Sequence, residues 1–367
     1  MRSYEHGGDI FAEEKKILDF SVNIDPLGMP GAAAEAAERA VREDITYPDP
    51  FCRKLTAALS ERYGVPEENI VCGNGASDLI LRLCAAVKPK KVLVPRPGFS
   101  EYERSTALFG ASAVYYDVLG RTPAQISGNI KKAVTAAPPD CAMTLAASAP
   151  GMVFVCRPNN PDGSMLGTEE LADIAELCSR TGTLLVCDEC FLEFTGATSA
   201  LALMGKYRNI VVINAFTKTY AMAGLRLGFM FSADTELLDE VYRFGIPWSV
   251  SSAAQAAGEV CCGERVFLSD ARRYIAAERK RLVSAIEGCG LSVFPSEANF
   301  LLIQDVRGSG GAPGGTSAPL REMLAERNIR VRDCRNFKGL DDSFIRIGIR
   351  TKEENDALIK ALEEIYG

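Results

Sequence analysis

Asn214-Ala215-Phe216-Thr217-Lys218-Thr219-Tyr220-Ala221-Met222-Ala223-Gly224-Leu225-Arg226-Leu227-Gly228-Phe229 is the stretch that decides how this chain is read. The run before it, Ile210-Val211-Val212-Ile213, has the length and β-branched content of a buried strand. Lys218 stands in the short polar loop that follows, and Arg226 comes eight residues later between Gly224 and Gly228. A lysine desolvated beside other positive groups loses its proton readily and becomes a nucleophilic amine able to form a Schiff base. A guanidinium close by suits a phosphate. A loop lysine taken alone reads as solvated surface. Thr217, the Arg226 spacing and the flanking glycines set this one apart.

Other apolar runs end the same way. Ile70-Val71-Cys72 leads into Gly73-Asn74-Gly75-Ala76-Ser77-Asp78 and then a helix from Leu79. A glycine loop at a helix N-terminus offers free N–H groups and the positive end of the dipole, which favours phosphate. No Gly-Lys-Ser/Thr closes it, so it is not a P-loop. Val153-Phe154-Val155-Cys156 runs into Arg157-Pro158-Asn159-Asn160-Pro161-Asp162-Gly163, and Leu184-Leu185-Val186-Cys187 ends at Asp188. A carboxylate closing a buried strand is costly unless it is paired. Strands alternate with helices from about residue 70 to 230, which predicts an α/β fold with a mostly parallel sheet flanked by helices. Ligands of such sheets lie at the carboxyl ends of the strands. Strand-like runs after residue 290 predict a smaller α+β domain, with Gly308–Gly315 as a flexible loop inside it.

Composition narrows the function classes. The chain has 367 residues, enough for two domains. The formal net charge is −7, and Lys88, Lys90 and Lys91 form only a small basic cluster, so nucleic acid is not an expected partner. Twelve cysteines are scattered among strand-like and helix-like stretches, which fits reduced, buried thiols and a cytoplasmic setting. Cys187 and Cys190 have C-x-x-C spacing but no second pair for zinc. His6 is the one histidine, which argues against a His-rich metal site and a Ser-His-Asp hydrolase. No signal-like segment and no run long enough to span a bilayer is apparent.

Thr217-Lys218 with Ala223-Gly224-Leu225-Arg226-Leu227-Gly228 resembles the cofactor-lysine motif of the fold type I pyridoxal-phosphate aminotransferases. Within that superfamily the chain is most similar to histidinol-phosphate aminotransferases and to the threonine-phosphate decarboxylases of cobalamin synthesis. The resemblance runs from His6 to the last helix. It implies pyridoxal 5'-phosphate as cofactor, held covalently by Lys218. Asp188 would pair with the pyridine nitrogen, which lets the ring withdraw electrons from the substrate. Asn160 would bond its phenolic oxygen, and Phe99 would stack on the ring. Gly75, Ala76, Ser77, Thr217 and Arg226 would cradle the phosphate. Tyr47 would reach across a homodimer to the partner's phosphate. Arg346 would clamp a substrate carboxylate, with Asn23 beside the substrate and His6, Arg332 and Arg350 toward a substrate phosphate. The implied division is an arm over 1–35, a large domain over 36–245 and a small domain over 246–367.

The chain departs from the family pattern in places. Asp162 stands where threonine is usual. Phe191 replaces a tyrosine that would donate to the phenolic oxygen. Ala215 replaces a hydroxyl residue near the phosphate, a loss of about 1 kcal/mol for one net hydrogen bond. Phe191, His6-Gly7-Gly8 and the segment from Arg332 to Arg350 lean toward the decarboxylases. Three functions stay open: a decarboxylase of a phosphorylated amino acid, an aminotransferase of the histidinol-phosphate kind, and a catalytically silent binding module.

Overall fold

Seven of the apolar runs make one sheet in the computed structural model, which describes residues 6–10, 17–43, 46–136, 149–306 and 319–367. A short β1 (Leu18–Asp19) precedes the helices α1 (Gly31–Glu43) and α2 (Arg53–Tyr63). The large sheet then takes β2 (Ile70–Gly73), β3 (Lys91–Arg96), β4 (Ser112–Asp117), β5 (Met152–Cys156), β6 (Leu184–Asp188), β7 (Ile210–Ala215) and β8 (Gly228–Ser232). Their spatial order is β2-β8-β7-β6-β5-β3-β4. The strands β7, β6, β5, β3 and β4 are parallel, and β8 runs antiparallel to both its neighbours. The carboxyl ends of β2, β5, β6 and β7 therefore meet at one edge, together with the start of β8.

The helices α3 (Ala76–Val87), α4 (Ser100–Ala107), α5 (Pro123–Thr135), α6 (Thr168–Thr181) and α7 (Thr235–Arg243) cover both faces of this sheet. Central strands buried on both sides read as continuous apolar runs, and their residues alternate between two cores. Val153, Val155, Leu185, Cys187 and Val212 pack on one side. Met152, Phe154, Val186, Val211 and Ile213 pack on the other. The described cysteines are free and mostly buried, which agrees with their reading as small apolar residues. Among the described residues no helix is long and apolar enough to cross a membrane, and no His/Cys/Asp/Glu cluster could hold a metal.

The helix α8 (Ser252–Gly263) follows shortly after residue 245. It packs on α1 and α2, and its Ala254, Ala257 and Cys261 share a core with Ala33, Leu55 and Leu59. The alanine-rich faces of α1 and α8 let the two backbones approach closely. At Gly258 a side chain would run into Leu227. The long α9 (Arg265–Gly288) then leads to the smaller unit. There β9 (Ser292–Val293), β10 (Phe300–Gln304), β12 (Arg332–Asp333) and β13 (Phe344–Gly348) form an antiparallel sheet in the order β12-β13-β10-β9, backed by α9 and α10 (Lys352–Tyr366). The pair β1 and β11 (Ile329–Arg330) ties the N-terminal arm to this unit, and the Gly348 N–H donates to the Phe20 carbonyl at 2.8 Å. The glycine-rich run Gly308–Gly315 lies outside the described residues.

A buried ion pair holds the site edge of the sheet in place. Arg157, just past β5, and Glu189, just past β6, are both almost wholly buried, and Nη1 lies 2.7 Å from Oε1. Glu189 also accepts from the Ala200 N–H at 2.8 Å and from the Ser199 hydroxyl, while Arg157 Nε donates to the Leu166 carbonyl at 3.0 Å. Arg157→Met leaves Glu189 buried without its partner and should lower stability by about 3–5 kcal/mol. Urea unfolding followed by far-UV circular dichroism measures this.

Candidate active site

A cavity of about 360 Å³ opens at the edge where the strand ends meet. β7 delivers Lys218 to it on a single helical turn, Phe216–Thr219. Burial is the main force that lowers the Lys218 amine to about 8, and the positive charge of Arg346 adds to it. Cys190 opposes the shift, and Arg226 adds a further push downward. The amine still faces the cavity, so the side chain is only half-buried. Asp25 anchors the turn by donating its N–H to the Lys218 carbonyl at 3.0 Å. Burial also pushes the Asp25 carboxyl up to about 7, against the Leu27 N–H that favours its charged form.

One end of the cavity is built from three strand termini. Gly228 at the start of β8 pairs with Ala215 on one side and Gly73 on the other. A side chain on Gly228 would sit 2.5 Å from the Gly75 carbonyl carbon. Gly75 has φ +83°, and a Cβ there would lie 2.7 Å from an Arg226 Nη. Both positions need glycine. Gly75 caps α3 with no side-chain hydrogen bond, so the first N–H groups of α3 remain available at its positive end. Ala76, Ser77, Thr217 and Arg226 line the cavity beside it. Arg226 has φ +66°, the sparsely populated left-handed region that recurs at functional sites.

Asp188, at the end of β6, sits across the cavity and is 5% exposed. Its Oδ1 accepts from the Cys190 N–H at 3.1 Å, and its Oδ2 accepts from the Tyr102 hydroxyl at 2.6 Å. Asn160 is buried, and its Oδ1 accepts from Arg346 Nη1. That bond leaves the Asn160 amide nitrogen as the group able to donate. Asp162 is accommodated by its own turn, where it accepts from Asn159 Nδ2 at 2.6 Å. Phe99 lines the cavity edge-on to Tyr102, with ring centroids 5.6 Å apart.

The opposite end of the cavity is cationic. Arg332 and Arg346 face each other in the register of β12 and β13, both are buried, and both line the cavity. Desolvation lowers the Arg346 guanidinium to about 10; Cys334 opposes this and Arg332 adds to it. Arg346 makes no ion pair among the described residues, and its Nε is a buried donor with no partner. The Asn23 Oδ1 is likewise buried without a partner. His6 lines the same cavity, 3.1 Å from Glu101 and tilted against Phe99.

Two candidates lie elsewhere. Tyr47 is 75% exposed and stacks on Trp248 at 4.4 Å, outside the cavity of its own chain. Arg350 also stands off the cavity lining, where its guanidinium approaches Glu354 at 3.4 Å. Tyr102, Ser21, Ser100, Cys156 and Phe337 are among the cavity residues that sequence reading did not name for the site. Tyr102 had a signal: it follows Phe99 by three residues at the start of α4, a spacing that places both on one helical face. An uncapped helix N-terminus, two obligatory glycines, a lysine with lowered basicity and a buried carboxylate opposite it together fit pyridoxal phosphate.

The comparisons agree with that fit. The family model described as aminotransferase class I and II matches residues 15–362. A threonine-phosphate decarboxylase of Salmonella typhimurium is 30% identical over 98% of this chain and 96% of its own length. A histidinol-phosphate aminotransferase of Roseiflexus castenholzii is 34% identical over 96% of this chain and 90% of its own. Among solved structures, the histidinol-phosphate aminotransferase of Clostridium acetobutylicum superposes with a TM-score of 0.81 at 27% identity, covering 95% of this chain and 98% of that one.

The lowered basicity of Lys218 gives a direct test. Only the neutral amine attacks a carbonyl, so attachment of pyridoxal phosphate to the cofactor-free chain should accelerate as pH rises through about 8. Stopped-flow absorbance reads the rate. Borohydride fixation followed by peptide mass spectrometry should place the label on Lys218, and Lys218→Ala should abolish it. A label on another lysine would remove Lys218 from the role.

Proposed function

The chain belongs to the aminotransferase class I and II family of pyridoxal-phosphate enzymes, and from that premise we propose that it decarboxylates a phosphorylated amino acid of the threonine-phosphate kind. The observation that carries this reading is the pair Arg346 and Arg332. Two buried guanidinium groups side by side repel each other, and Arg346, whose Nε meets no partner, is a buried charge of the costly kind. A substrate bearing both a carboxylate and a phosphate supplies two anions at that spacing. Histidinol phosphate carries one. Beyond Arg332 a second cavity of about 680 Å³ adds Arg321, Arg330 and Arg335, with the arm from His6 to Asp9 on its other wall. Asp9, Glu322 and Asp333 line the same cavity, with Arg335 bonded to Asp333, so the arginines outnumber the carboxylates there only slightly.

Pyridoxal phosphate, when bound, supplies an electron sink for the bond that breaks at the substrate Cα. The chain's own residues do the rest. The N–H groups of Ala76 and Ser77, with Thr217 and Arg226, hold the cofactor phosphate. Asp188 keeps the ring nitrogen protonated. The Asn160 amide nitrogen donates to the ring oxygen, and Phe191, packed edge-on against Phe300 with centroids 5.0 Å apart, adds no second donor there. Arg346 holds the carboxylate in a bidentate grip. The bond from Cα to that carboxylate breaks, carbon dioxide leaves, and Lys218 returns a proton to Cα. An amine of basicity near neutrality can carry that proton in either direction.

The working unit in this reading is a homodimer. A single chain leaves Arg226 exposed, along with an apolar patch of Tyr47, Phe51, Ile246 and Trp248. Tyr47 is outside its own cavity, and a second copy could bring its Tyr47 to the phosphate end.

Three outcomes follow. Incubation with threonine phosphate should release carbon dioxide and leave an aminopropanol phosphate without any keto-acid acceptor. Keto-acid-dependent turnover of histidinol phosphate without carbon dioxide would decide for transamination. Arg346→Gln and Arg332→Gln should each lower kcat/KM by about 30-fold or more, the cost of leaving a buried anion unpaired. Mixing inactive Tyr47→Ala and Lys218→Ala chains should restore part of the activity through heterodimers with one intact site; full activity in a monomer, seen by sedimentation, would refute the dimer.

A further inference from the structure

The short hydrogen bond from Tyr102 to Asp188 has a role beyond packing. Tyr102 lies in the first turn of α4 and is 1% exposed. Its ring stacks on Phe154 of β5, with centroids 4.6 Å apart and planes within 14°. Its other neighbour, Phe99, meets it edge-on at 86°. The phenol thus has little freedom, and its oxygen rests 2.6 Å from Asp188 Oδ2. That separation is typical of a charge-assisted O–H···O⁻ bond. Burial first, and the Asp188 charge second, hold the Tyr102 phenol well above its ordinary value, so it remains a donor.

The surroundings of Asp188 give this donor its weight. The carboxylate sits between the Cys156, Phe154 and Val186 side of the sheet and the cavity. It accepts from the Cys190 N–H and from the Tyr102 hydroxyl. A carboxylate offers about four lone-pair sites, so a ring N–H can still be accepted. A donor to the charged form favours that form, and in apolar surroundings the preference is strong. The proton shared between Asp188 and a ring nitrogen then stays on the nitrogen. Without the phenol the carboxylate would be poorly solvated, and the proton would shift toward it.

We propose that Tyr102 is a positioning residue for the cofactor ring: it donates to Asp188, keeps that carboxylate charged and oriented, and so keeps the ring nitrogen protonated. The inference rests on Asp188 being the partner of that nitrogen. It extends to Phe99, since the same tyrosine buttresses the aromatic that closes over the ring.

The test uses holoenzyme reconstituted with pyridoxal phosphate carrying ¹⁵N in the ring. The nitrogen resonance, followed against pH, reports its protonation without any turnover. Tyr102→Phe keeps the stacked ring and removes only the hydroxyl. The nitrogen should lose its proton at a pH about one to two units lower than in the wild type, the scale of one hydrogen bond to a charged group. Phe154→Leu loosens the ring but leaves the hydroxyl, and its titration should follow the wild type. Asp188→Ala should give a neutral ring nitrogen throughout. If Asp188→Ala neutralises the nitrogen while Tyr102→Phe titrates as the wild type does, the role of Tyr102 is overturned. An equal shift in Phe154→Leu would overturn it too, by showing that packing alone matters. A nitrogen that keeps its proton in Asp188→Ala would instead overturn the assignment of Asp188.

Discussion

The insertion of β8 between β2 and β7 is the constraint on which the site depends. Gly228 pairs with Ala215 and Gly73 at once, so the lysine loop and the glycine loop leave the sheet side by side. Where the two loops turn, the Gly75-Ala76 backbone lies against Gly228, and a Cβ there would sit 2.7 Å from the Ala76 nitrogen. Gly75 and Gly228 meet that demand, and Arg226 is carried by the same crossing into the space next to Gly75. Residues 75, 218 and 226, distant in sequence, become one wall.

Charge is managed in two contrasting ways around that wall. Arg157 and Glu189 are buried but fully partnered, and they stiffen the ends of β5 and β6 that present Asn160 and Asp188. Arg346 and Arg332 are buried beside each other, and Arg346 has a donor nitrogen with nothing to meet it. The first arrangement is complete within the chain. The second leaves positive charge facing the cavity. Lys218 sits between the two regimes. Its lowered basicity comes from burial and from the Arg346 charge, so this arginine also tunes the amine.

The small unit reaches the site through register. Arg332 and Arg346 are fourteen positions apart in the chain, yet β12 and β13 place them opposite each other. The arm is stitched on by β1 and β11 and by the Phe20 to Gly348 hydrogen bond, which brings Ser21, Asn23 and His6 over the same opening. This side of the cavity is thus assembled from three stretches that no local pattern connects.

Much of the large sheet was legible because its strands are buried on both faces. Ile210–Ile213, Val153–Cys156 and Leu184–Cys187 had to be apolar throughout, and each was followed by the polar residue it presents. Lys218, Asp188, Asn160 and the Gly75 loop could be picked out for that reason, since carboxyl ends of parallel strands share one edge. Other features needed the tertiary structure. The place of α8 depended on two alanine-rich faces fitting together, and helical periodicity does not say which partner a face meets. Tyr102 looked like one aromatic among many until packing against Phe154 fixed its hydroxyl on Asp188. Arg350 and Arg332 looked equivalent, but neighbouring groups turned one toward Glu354 while strand register set the other beside Arg346. The order of apolar and polar residues therefore determined the sheet and its catalytic edge. Which buried groups touch, and which are left needing a ligand, was decided only by three-dimensional packing, because those contacts join residues whose separation in sequence carries no periodic signal.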